Sequence, residues 1–438
     1  MAKTFKGGVH PGHFKSATAG KPIADANPPA RVAVLMQQHI GAPCEPLVEV
    51  GDAVKVGQKV GDSQAFVSVP AHSSVSGKVV ELRDYPHPVG RPARAVVIES
   101  DGQDTWHESV KANPPLEELS GDDIKKIIRE AGIAGMGGAT FPTHVKLSPP
   151  PEKPIDTVII NGSECEPFLT ADHRLMLERP EAVVFGLKAL MKVLGVEKGY
   201  IGVEDNKPDC VEALKKAAEG EPVEVKSFHT KYPQGAEKQL IYAFNGREVP
   251  SGGLPMDVGT VVQNAGTAVA IADAVRKGVP LLERIVTVTG PGVEAPANLR
   301  VKIGTMVSEV IAQCGGLKEN ARKVILGGPM MGLAQNTTEM PVIKGTSGIL
   351  VLTDKEVHIH EIQPCIRCGR CVEVCPVSIM PLVIGSATEK GYPDKAEAYH
   401  AVDCIECGCC SYICPAKRPL TQWIRLSKGE ILAKAKKK

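Results

Sequence analysis

The sequence has no excess of charge of either sign: Lys and Arg total 51, and Asp and Glu total 50. A general nucleic-acid-binding protein normally shows a basic excess, so we expect no nucleic-acid partner. The apolar fraction of 43% and the charged fraction of 23% are typical of a soluble globular protein. At 438 residues the chain is too long for one ordinary core, and its length predicts about two to four domains.

A long apolar segment is also missing. No run approaches the ~18 uninterrupted apolar residues that a membrane-spanning helix needs. The best candidate, residues 182–196, is interrupted by Lys188 and Lys192 and predicts a buried amphipathic helix. The N-terminal sequence M-A-K-T-F-K-G-G-V-H-P lacks the apolar core of a signal peptide. We therefore expect a cytosolic protein that is still able to dock on a membrane complex.

The first hundred residues predict an arm followed by a β domain. Residues 1–31 are rich in Pro, Gly and Lys and predict an extended arm. Residues 32–105 are strand-like and punctuated by Gly, in two similar halves that resemble the barrel-sandwich fold of biotinyl and lipoyl carriers. Those carriers display a modified Lys at a hairpin tip, whereas this tip reads V-P-A-H-S-S, residues 69–74. We expect a structural or docking domain and not a swinging carrier.

Helices and strands alternate over residues 106–283. Ser120 and Asp123 predict a capped helix start, and apolar residues follow at helical spacing. The strands T-V-I-I-N-G, G-Y-I-G-V and V-E-V-K-S-F are separated by helical segments such as Pro180 to Leu194. This alternation predicts a parallel α/β sheet, in which ligands bind beyond the carboxyl ends of the strands.

The remaining sequence predicts two smaller units and a tail. Residues 284–355 contain the hairpin-like strands R-I-V-T-V-T-G and N-L-R-V-K-I-G, a short helix and another strand, which suggest an α+β module of the β-grasp type. The cysteine-rich segment follows over residues 356–427. Residues 428–438 are basic, and we expect a disordered tail, with attraction to an anionic membrane or partner as the lesser alternative. The fold class is therefore multidomain, α/β and α+β.

The number and spacing of the cysteines indicate metal-binding sites. The compartment expected for this chain keeps thiols reduced, so disulfides are not expected among its 13 cysteines. Two copies of C-x2-C-x2-C-x3-C-P are present, which is the spacing of bacterial ferredoxins that hold two [4Fe–4S] clusters. Tetrahedral zinc sites do not predict a third Cys at this spacing followed by C-P. The first copy supplies Cys365, Cys368, Cys371 and Cys375, and the second supplies Cys404, Cys407, Cys410 and Cys414.

In this pattern the fourth cysteine of each copy serves the other cluster. The expected ligand sets are Cys365, Cys368, Cys371 and Cys414 for one cluster, and Cys404, Cys407, Cys410 and Cys375 for the other. The spacing leaves Cys409 as a spare. Cys210 and Cys314 lie on predicted helices and are expected to be core residues, while Cys44 has no partner motif and Cys165 sits in a loop.

A glycine-rich loop, G-M-G-G-A-T-F-P-T-H-V-K, covers residues 135–146. Gly135, Gly137 and Gly138 would let the backbone lie against a flat ring or a phosphate. Lys146 could neutralise a phosphate and Phe141 could stack on a ring. Taken alone, the loop fits either ligand binding or a tight turn, and it is not the Rossmann pattern because it follows a helix and contains Pro142.

Three further segments make the loop specific: N-G-S-E-C-E-P at residues 161–167, Y-P-Q-G-A-E at 232–237 and Q-N-A-G-T at 263–267. In order and spacing they resemble the FMN- and NADH-binding loops of the flavoprotein subunit of respiratory complex I and of related hydrogenases. Together with G-G-V-H-P near the N-terminus and the two-cluster segment, they make the chain similar to the C subunits of Rnf-type ferredoxin:NAD oxidoreductase complexes. The resemblance covers nearly all of the chain.

The resemblance implies which residues bind the nucleotides. Phe141 and Glu166 fall where the nicotinamide nucleotide approaches the flavin. Three departures are Met136 in place of Arg, Ser163 in place of Asp, and the absence of a second aromatic residue after Lys146. The implied FMN residues are Gly135, Gly137, Gly138, Lys146, Asn161, Glu164, Tyr232, Gly235, Glu237, Asn264 and Thr267.

The implied function is that of the NAD-reactive peripheral subunit of a membrane ion-translocating ferredoxin:NAD+ oxidoreductase. Two [4Fe–4S] clusters, FMN and NAD(H) pass electrons without a side chain acting as acid or base. The implied partners are integral-membrane subunits, a ferredoxin-like iron–sulfur subunit and, indirectly, ferredoxin, at the cytoplasmic face of the membrane. Two alternatives remain: a subunit of a soluble NAD-linked hydrogenase or formate dehydrogenase, and an electron-relay or docking protein without nicotinamide binding.

Overall fold

The computed structural model describes residues 4–357 and 361–435 of the chain. The N-terminal arm contributes one strand, β1 (Ile23–Asp25). The β domain that follows has two antiparallel sheets, ordered β2-β8-β7-β4 and β3-β5-β6, which share one buried core of mainly Val residues. Its strands are β2 (Arg31–Leu35), β3 (Glu45–Pro46), β4 (Ala53–Val54), β5 (Lys59–Asp62), β6 (Ala71–His72), β7 (Gly77–Tyr85) and β8 (Ala93–Ser100).

The tip of this β domain, residues 69–74, is buried against the rest of the chain. Lys344, from a distant segment, donates hydrogen bonds from Nζ to the carbonyl oxygens of Pro70 (2.7 Å) and Gly132 (2.6 Å). Ser74 Oγ donates to the carbonyl oxygen of Ile303 at 2.6 Å. These hydrogen bonds fix the tip of the β domain in a contact with other segments of the chain.

The central domain is a four-stranded parallel sheet, ordered β11-β10-β9-β12, with helices packed around it. Ser120 and Asp123 form the predicted capping box, because each side chain accepts a hydrogen bond from the backbone N–H of the other. The elements are α1 (Gly121–Glu130), α2 (Thr143–Lys146), β9 (Thr157–Gly162), α3 (Ala171–Glu178), α4 (Pro180–Leu194), β10 (Gly199–Glu204), α5 (Pro208–Ala217), β11 (Val223–Phe228), α6 (Glu237–Asn245), β12 (Thr260–Asn264) and α7 (Ala265–Lys277).

The third unit is a mixed six-stranded sheet ordered β1-β14-β13-β17-β15-β16, to which the N-terminal arm adds the edge strand β1. Cys314 is buried in its core, as its helical position predicted. The elements are β13 (Glu283–Thr289), β14 (Ala297–Lys302), α8 (Val307–Gln313), β15 (Ala321–Leu326), β16 (Leu333–Gln335) and β17 (Gly348–Thr353).

The C-terminal domain is helical around the cysteines. Its helices are α9 (Arg370–Glu373), α10 (Pro381–Glu389), α11 (Pro393–Ala398), α12 (Cys409–Ile413) and α13 (Leu420–Ala435). No helix within residues 4–357 and 361–435 has both the length and the apolarity required to cross a membrane.

The prediction of a disordered tail from residue 428 is wrong for the described part of that tail. Helix α13 continues to Ala435, because Ile424 and Ile431 are buried on one face of it. Lys428 Nζ donates to the carbonyl oxygen of Cys404 at 2.8 Å, and Lys434 pairs with Asp394 at 2.7 Å. Ile424 and Ile431 are seven residues apart, which is a helical spacing. The prediction of a disordered tail relied on the lysines and overlooked this spacing. Residues 436–438 lie outside the described part.

Candidate functional site

The predicted ligand loops meet at the carboxyl ends of β9 and β12. These strands are parallel neighbours, and Asn161 lies directly opposite Asn264 in their register. Asn264 ends β12 and caps α7: its side-chain oxygen accepts hydrogen bonds from the backbone N–H groups of Gly266 (2.8 Å) and Thr267 (3.3 Å). Its Nδ2 donates to Asp172 at 2.6 Å. Two of the predicted site residues, 103 positions apart in sequence, are thus brought together by the sheet.

The glycine-rich loop is anchored to this strand edge on one side and open on the other. The Met136 N–H donates to Thr267 Oγ1 at 3.0 Å. A Cβ at Gly137 would lie 2.9 Å from the Cβ of Asn264, so this position tolerates no side chain. Gly138 is exposed with a φ of +145°, and a Cβ there would meet no described atom within 4 Å. The free side of the loop therefore presents backbone to the space above the strand ends, as a flat ligand requires.

The departure at Met136 has a counterpart that sequence reasoning missed. Arg284 at the start of β13 is buried against Met136 and contacts the methionine sulfur. Its Nη2 also donates to the Met136 carbonyl oxygen at 3.4 Å, and its Nε donates to the Thr346 carbonyl oxygen at 3.1 Å. Burial lowers the pKa of Arg284 to about 10. The Arg284 guanidinium thus supports the glycine-rich loop at Met136. The two residues are 148 positions apart, so no local sequence signal could predict this contact.

Lys146, at the end of α2, is held in place by two acceptors. Its Nζ lies 2.6 Å from Glu237 Oε1 and 2.7 Å from the carbonyl oxygen of Val262. The structure therefore brings together two predicted site residues, one after the glycine-rich loop and one at the start of α6. The ammonium group is only partly exposed, and its orientation is fixed before any ligand binds.

The loops after β9 and β11 are packed against each other. Asn161 Nδ2 donates to the carbonyl oxygen of Gly235 at 2.8 Å, and the Gly235 N–H donates to Cys165 Sγ at 3.2 Å. A Cβ at Gly235 would lie 2.3 Å from the carbonyl oxygen of Ser163, so glycine is required there. Burial raises the pKa of the Cys165 thiol well above its usual value. Cys165 is therefore a neutral acceptor that holds the two loops together.

The two predicted glutamates have different surroundings. The Glu164 carboxylate accepts hydrogen bonds from the backbone N–H groups of Asp172 (3.0 Å) and His173 (3.1 Å) at the start of α3. Burial, and next the Glu164 carboxylate, raise the pKa of Asp172 to about 7. Asp172 also accepts the hydrogen bond from Asn264, so the Glu164–Asp172 pair is connected to the end of β12. The sequence did not indicate Asp172 as a residue of this site.

Glu166 faces the third unit instead. It accepts hydrogen bonds from the backbone N–H groups of Met330 (3.1 Å) and Met331 (2.8 Å), in the turn between β15 and β16. Burial raises its pKa to about 7. Within the described residues, no hydrogen bond or ring contact links Glu166 to Phe141. The two positions that the resemblance assigns to the nicotinamide nucleotide are thus not joined directly.

Tyr232 points at the cysteine-rich domain. It is buried, and its hydroxyl donates to the carbonyl oxygen of Cys407 at 2.8 Å. Its backbone forms two hydrogen bonds with the backbone of Val9 in the N-terminal arm. The backbone N–H of the preceding residue, Gly8, donates to the carbonyl oxygen of Val374 at 2.8 Å. Tyr232 therefore joins the central domain to the second cysteine motif, with the arm packed alongside.

Several buried polar atoms around these loops have no partner among the described residues. They are Ser163 Oγ, both amide atoms of Gln234, Gln239 Oε1 and Gln263 Nε2. Buried polar groups normally have hydrogen-bond partners. Ser163, Gln234 and Gln263 belong to the three predicted loops, so a polar ligand at the strand ends would satisfy them. The donor set fits FMN, which combines a flat ring system with hydroxyl and phosphate groups.

The first thiol set surrounds one pocket in the C-terminal domain. Cys365, Cys368, Cys371 and Cys414 all line it. Burial raises the pKa of Cys371, and the neighbouring thiols of Cys414, Cys365 and Cys368 raise it further. The fourth cysteine of the second motif thus joins the first three of the first motif, and this donor set fits a four-iron cluster.

The second thiol set is buried beside the central domain. Burial raises the pKa of Cys410 to about 11, and the thiols of Cys407 and Cys375 contribute in the same direction. Cys375 of the first motif therefore lies with Cys404, Cys407 and Cys410, which also fits a four-iron cluster. Cys409 is fully buried and packs with Val9, Tyr232 and Cys407. This cysteine, left over by the spacing, lies in the contact between domains.

Four family descriptions match successive parts of the chain. Residues 3–103 match the RnfC barrel sandwich hybrid domain and residues 128–273 the Nuo51 FMN-binding domain. Residues 285–334 match the SLBB domain, and residues 358–415 match the 4Fe-4S dicluster domain. The order of these domains agrees with the fold class expected from the sequence.

Whole-chain relatives are similar over nearly the full length, and each is named as the C subunit of its complex. The chain is 53% identical over 431 residues to that of the "Proton-translocating ferredoxin:NAD(+) oxidoreductase complex" of Clostridium ljungdahlii, covering 98% of this chain and 94% of that protein. It is 54% identical over 435 residues to that of the "Na(+)-translocating ferredoxin:NAD(+) oxidoreductase complex" of Acetobacterium woodii, covering 99% and 98%. It is 42% identical to that of the "Ion-translocating oxidoreductase complex" of Rhodobacter capsulatus, covering 99% and 84%.

Proposed function

The chain belongs to the C subunits of ion-translocating ferredoxin:NAD(+) oxidoreductase complexes, and we propose that electrons cross it between NAD(H) and the first thiol set by way of Tyr232 and the second thiol set. It is an oxidoreductase subunit with an FMN-binding domain and a dicluster domain. When bound, FMN exchanges hydride with nicotinamide and single electrons with iron–sulfur clusters, which links one-electron carriers to the reaction NAD+ + H+ + 2e− → NADH. The protein's part is to hold and align these groups.

The residues that would hold FMN lie at the carboxyl ends of β9 and β12. Parallel α/β sheets bind ligands at this edge. The backbone of Gly135, Gly137 and Gly138 is free of side chains on its open side. Lys146 supplies a cation whose position Glu237 fixes at 2.6 Å. Asn161, Asn264 and Thr267 set the spacing of the loops, and Tyr232, Gly235 and Glu164 brace them.

The observation that carries the proposal is the contact between Tyr232 and Cys407. The central domain and the second thiol set share a buried interface there, with Val9 and Cys409 packed against the same tyrosine. The first thiol set lies farther out, since Cys365 and Cys368 are exposed. We therefore assign Cys375, Cys404, Cys407 and Cys410 to the cluster next to the flavin, and Cys365, Cys368, Cys371 and Cys414 to the outer cluster.

Phe141 is the residue we propose for contact with the nicotinamide nucleotide, since it follows the open glycine-rich loop. Glu166 is better suited to hold the third unit, because the turn between β15 and β16 engages its carboxylate. The relatives' names place them in complexes that translocate ions. We propose that the chain attaches peripherally to integral-membrane subunits at the cytoplasmic face, with a ferredoxin-like iron–sulfur subunit as its electron partner.

One experiment tests the enzymatic role. The full chain is purified, reconstituted anaerobically with iron, sulfide and FMN, and mixed with NADH. We expect the flavin and cluster absorbance to bleach. An unchanged spectrum with flavin demonstrably bound would show a relay protein without nicotinamide chemistry. A Cys407→Ala variant is the control, because it should keep the bleaching of the flavin and lose that of the adjacent cluster.

A further inference from the structure

Three side chains that commonly bind metals meet in the central domain, outside the two thiol sets. They are His173 in the first turn of α3, and Asp209 and Cys210 in the first turn of α5. One imidazole nitrogen, one carboxylate oxygen and the thiol sulfur all lie within 4.8 Å of one another. We call these three residues the α3–α5 triad. They come from two packed helices and combine nitrogen, oxygen and sulfur donors.

Hydrogen bonds already hold the triad in position. His173 Nε2 lies 3.0 Å and 3.2 Å from the two carboxylate oxygens of Asp209, and the same carboxylate accepts from the backbone N–H of Cys210 at 2.8 Å. The Cys210 thiol donates to the carbonyl oxygen of His173 at 3.3 Å. Two nitrogen or oxygen ligands in a tetrahedral zinc site lie about 3.3 Å apart. The imidazole and the carboxylate are therefore close to the separation of a metal-bound pair.

The triad is closed towards the core and open towards solvent. Cys210 is fully buried, as its helical position predicted, and His173 is buried as well. The Asp209 side chain is half exposed, at 50%. An ion can therefore reach the thiol and the imidazole past Asp209. Zinc sites with three protein ligands keep a water molecule in the fourth position, and the exposed side of Asp209 leaves room for one.

The neighbouring cations are engaged with other carboxylates. Lys207 pairs with Glu204 at 2.9 Å, and Arg174 pairs with Glu178 at 2.8 Å. Among the described residues, the only ion pair of Asp209 is with His173. A dication bound by one carboxylate, one thiolate and one neutral imidazole would form a site without net charge. Such a site suits a partly buried position, where an uncompensated charge is costly.

We propose that the α3–α5 triad binds a zinc ion through His173 Nε2, a carboxylate oxygen of Asp209 and Cys210 Sγ, with water as the fourth ligand. Zinc fits this donor set because it accepts sulfur, nitrogen and oxygen, whereas magnesium and calcium take oxygen ligands. On binding, the thiol proton passes to solvent, and the neutral imidazole carries its single proton on Nδ1. The ion undergoes no redox change.

Zinc at this position would join α3 to α5 beside the flavin loops. The first turn of α3 carries His173 and also Asp172, which accepts the hydrogen bond from Asn264 at the end of β12. The backbone N–H groups of both residues donate to Glu164. An ion that fixes this turn therefore stiffens one edge of the proposed flavin site. The proposal does not depend on the electron transfer proposed above, because zinc binding is measured separately from flavin and cluster chemistry.

Counting bound metals tests the site. The full chain is reconstituted anaerobically with both iron–sulfur clusters, so that the thiol sets are occupied, and excess metal is removed with a chelating resin. Equilibrium dialysis against zinc sulfate, followed by mass spectrometry of the metals, then counts zinc and iron together. We expect about one zinc per chain, with about eight irons retained. No zinc uptake, or zinc uptake matched by a loss of iron from the thiol sets, would overturn the proposal.

The Asp209→Asn variant tests the carboxylate ligand, because its half-exposed side chain can be changed without altering the core. We expect its zinc affinity to fall by roughly tenfold or more, since even the loss of an outer partner of a metal ligand costs that much. Asp205→Asn is the matched control. Asp205 pairs with His229 at 3.4 Å in the same domain, and no described cysteine completes a triad with that pair. Unchanged affinity in Asp209→Asn, or an equal loss in both variants, would contradict the assignment.

X-ray absorption at the zinc edge identifies the ligands directly. We expect one sulfur at about 2.3 Å from zinc, with nitrogen and oxygen at about 2.0–2.1 Å. Cys210→Ser should lose the sulfur contribution. Cys314→Ser, which changes another buried cysteine at the end of α8, should keep it. Four sulfurs around zinc would place the ion in a thiol set, and no sulfur would place it at surface side chains. Either result would overturn the proposal.

Discussion

The hydroxyl of Tyr232 donates a hydrogen bond to the backbone carbonyl oxygen of Cys407, with 2.8 Å between the two oxygens. The tyrosine belongs to a loop of the parallel α/β domain, and the cysteine is in the middle of the second cysteine motif. Both are buried. The contact therefore fixes the distance between the proposed flavin site and the nearer thiol set, which a flexible linker between domains could not do.

Replacing Tyr232 by Phe should weaken this contact. The Cys407 carbonyl oxygen would lose its partner inside the protein, which typically costs about 1–3 kcal/mol. The hydroxyl dipole also favours negative charge near the cysteine loop, so we expect a more negative reduction potential for the adjacent cluster in the variant. An EPR redox titration of the reconstituted chain measures it.

Tyr242→Phe serves as the control, because the hydroxyl of Tyr242 makes no hydrogen bond to a described residue. A cluster potential that is unchanged in Tyr232→Phe, or equally shifted in both variants, would contradict the assignment of Tyr232 to this cluster.

A Gly8→Ala substitution should loosen the N-terminal arm. Gly8 has a φ of +80°, and an added Cβ would lie 2.6 Å from the carbonyl oxygen of Tyr232. Backbone strain of this kind costs about 1–3 kcal/mol. We expect faster hydrogen exchange around Tyr232 and Val374, which the arm holds together. Gly20→Ala is the matched control, since a Cβ there would meet no described atom within 4 Å. Equal exchange in the two variants would show that the arm does not hold these domains.

Local sequence signals predict many elements of this fold. The capping residues Ser120 and Asp123 and the apolar strand T-V-I-I-N-G predict their elements because both signals act within a few residues. The cysteine spacing is equally local, since three thiols at intervals of three residues can face one cluster. The pairing of Cys414 with the first motif follows from the same pattern, and the structure brings these thiols together.

The contacts that join the domains have no such signal. Tyr232 and Cys407 are 175 positions apart, and Arg284 and Met136 are 148 positions apart. The resemblance placed Tyr232 in the flavin site, but it could not show that the hydroxyl turns to the cysteine domain. The resemblance also marked Met136 as a departure, without indicating that Arg284 supplies a cation beneath it. Both contacts depend on how whole domains pack, which sequence periodicity does not encode.

Removal of the Lys146 ammonium group should weaken FMN binding. Lys146 pairs with Glu237 at 2.6 Å, so Lys146→Met removes a cation from the proposed site and leaves a carboxylate unpaired beside it. An anionic ligand would then meet net repulsion, and we expect roughly a tenfold or greater loss of affinity. Fluorescence titration of FMN measures this. Lys188→Met is the control, because it breaks a comparable pair with Glu221 (2.8 Å) in the same domain. Equal FMN affinities in the wild type, Lys146→Met and Lys188→Met would show that Lys146 does not bind FMN.

The buried Lys344 should make stability depend on pH. Burial lowers its pKa from 10.5 to about 8. Between these values the unfolded chain keeps a proton that the folded chain has lost, so the free energy of unfolding rises with pH across this window, by up to about 3 kcal/mol. Lys344→Met should abolish this rise. It should also leave the carbonyl oxygens of Pro70 and Gly132 without their donor.

Denaturant unfolding from about pH 7 to about pH 10.5 tests this linkage. The quantity of interest is the difference between wild type and Lys344→Met at each pH. The exposed Lys323→Met is the control and should track the wild type. A difference that stays flat with pH would mean that Lys344 is not buried as a charged donor between the β domain and Gly132 at the end of α1.

Cys409 should be dispensable for iron, although it is the most deeply buried cysteine of its motif. Its neighbours Cys407 and Cys410 occupy the ligand spacing, and its own side chain packs with Val9 and Tyr232 in the domain contact. Cys409→Ala should therefore retain about eight irons per chain, whereas Cys410→Ala should fall to about four. The loss of packing should still lower the free energy of unfolding of Cys409→Ala by about 1 kcal/mol. Iron and acid-labile sulfide analysis of the reconstituted variants measures the first effect, and thermal unfolding the second. About four irons in Cys409→Ala would make Cys409 a ligand and would require one of the other thiols in the second set to be the spare.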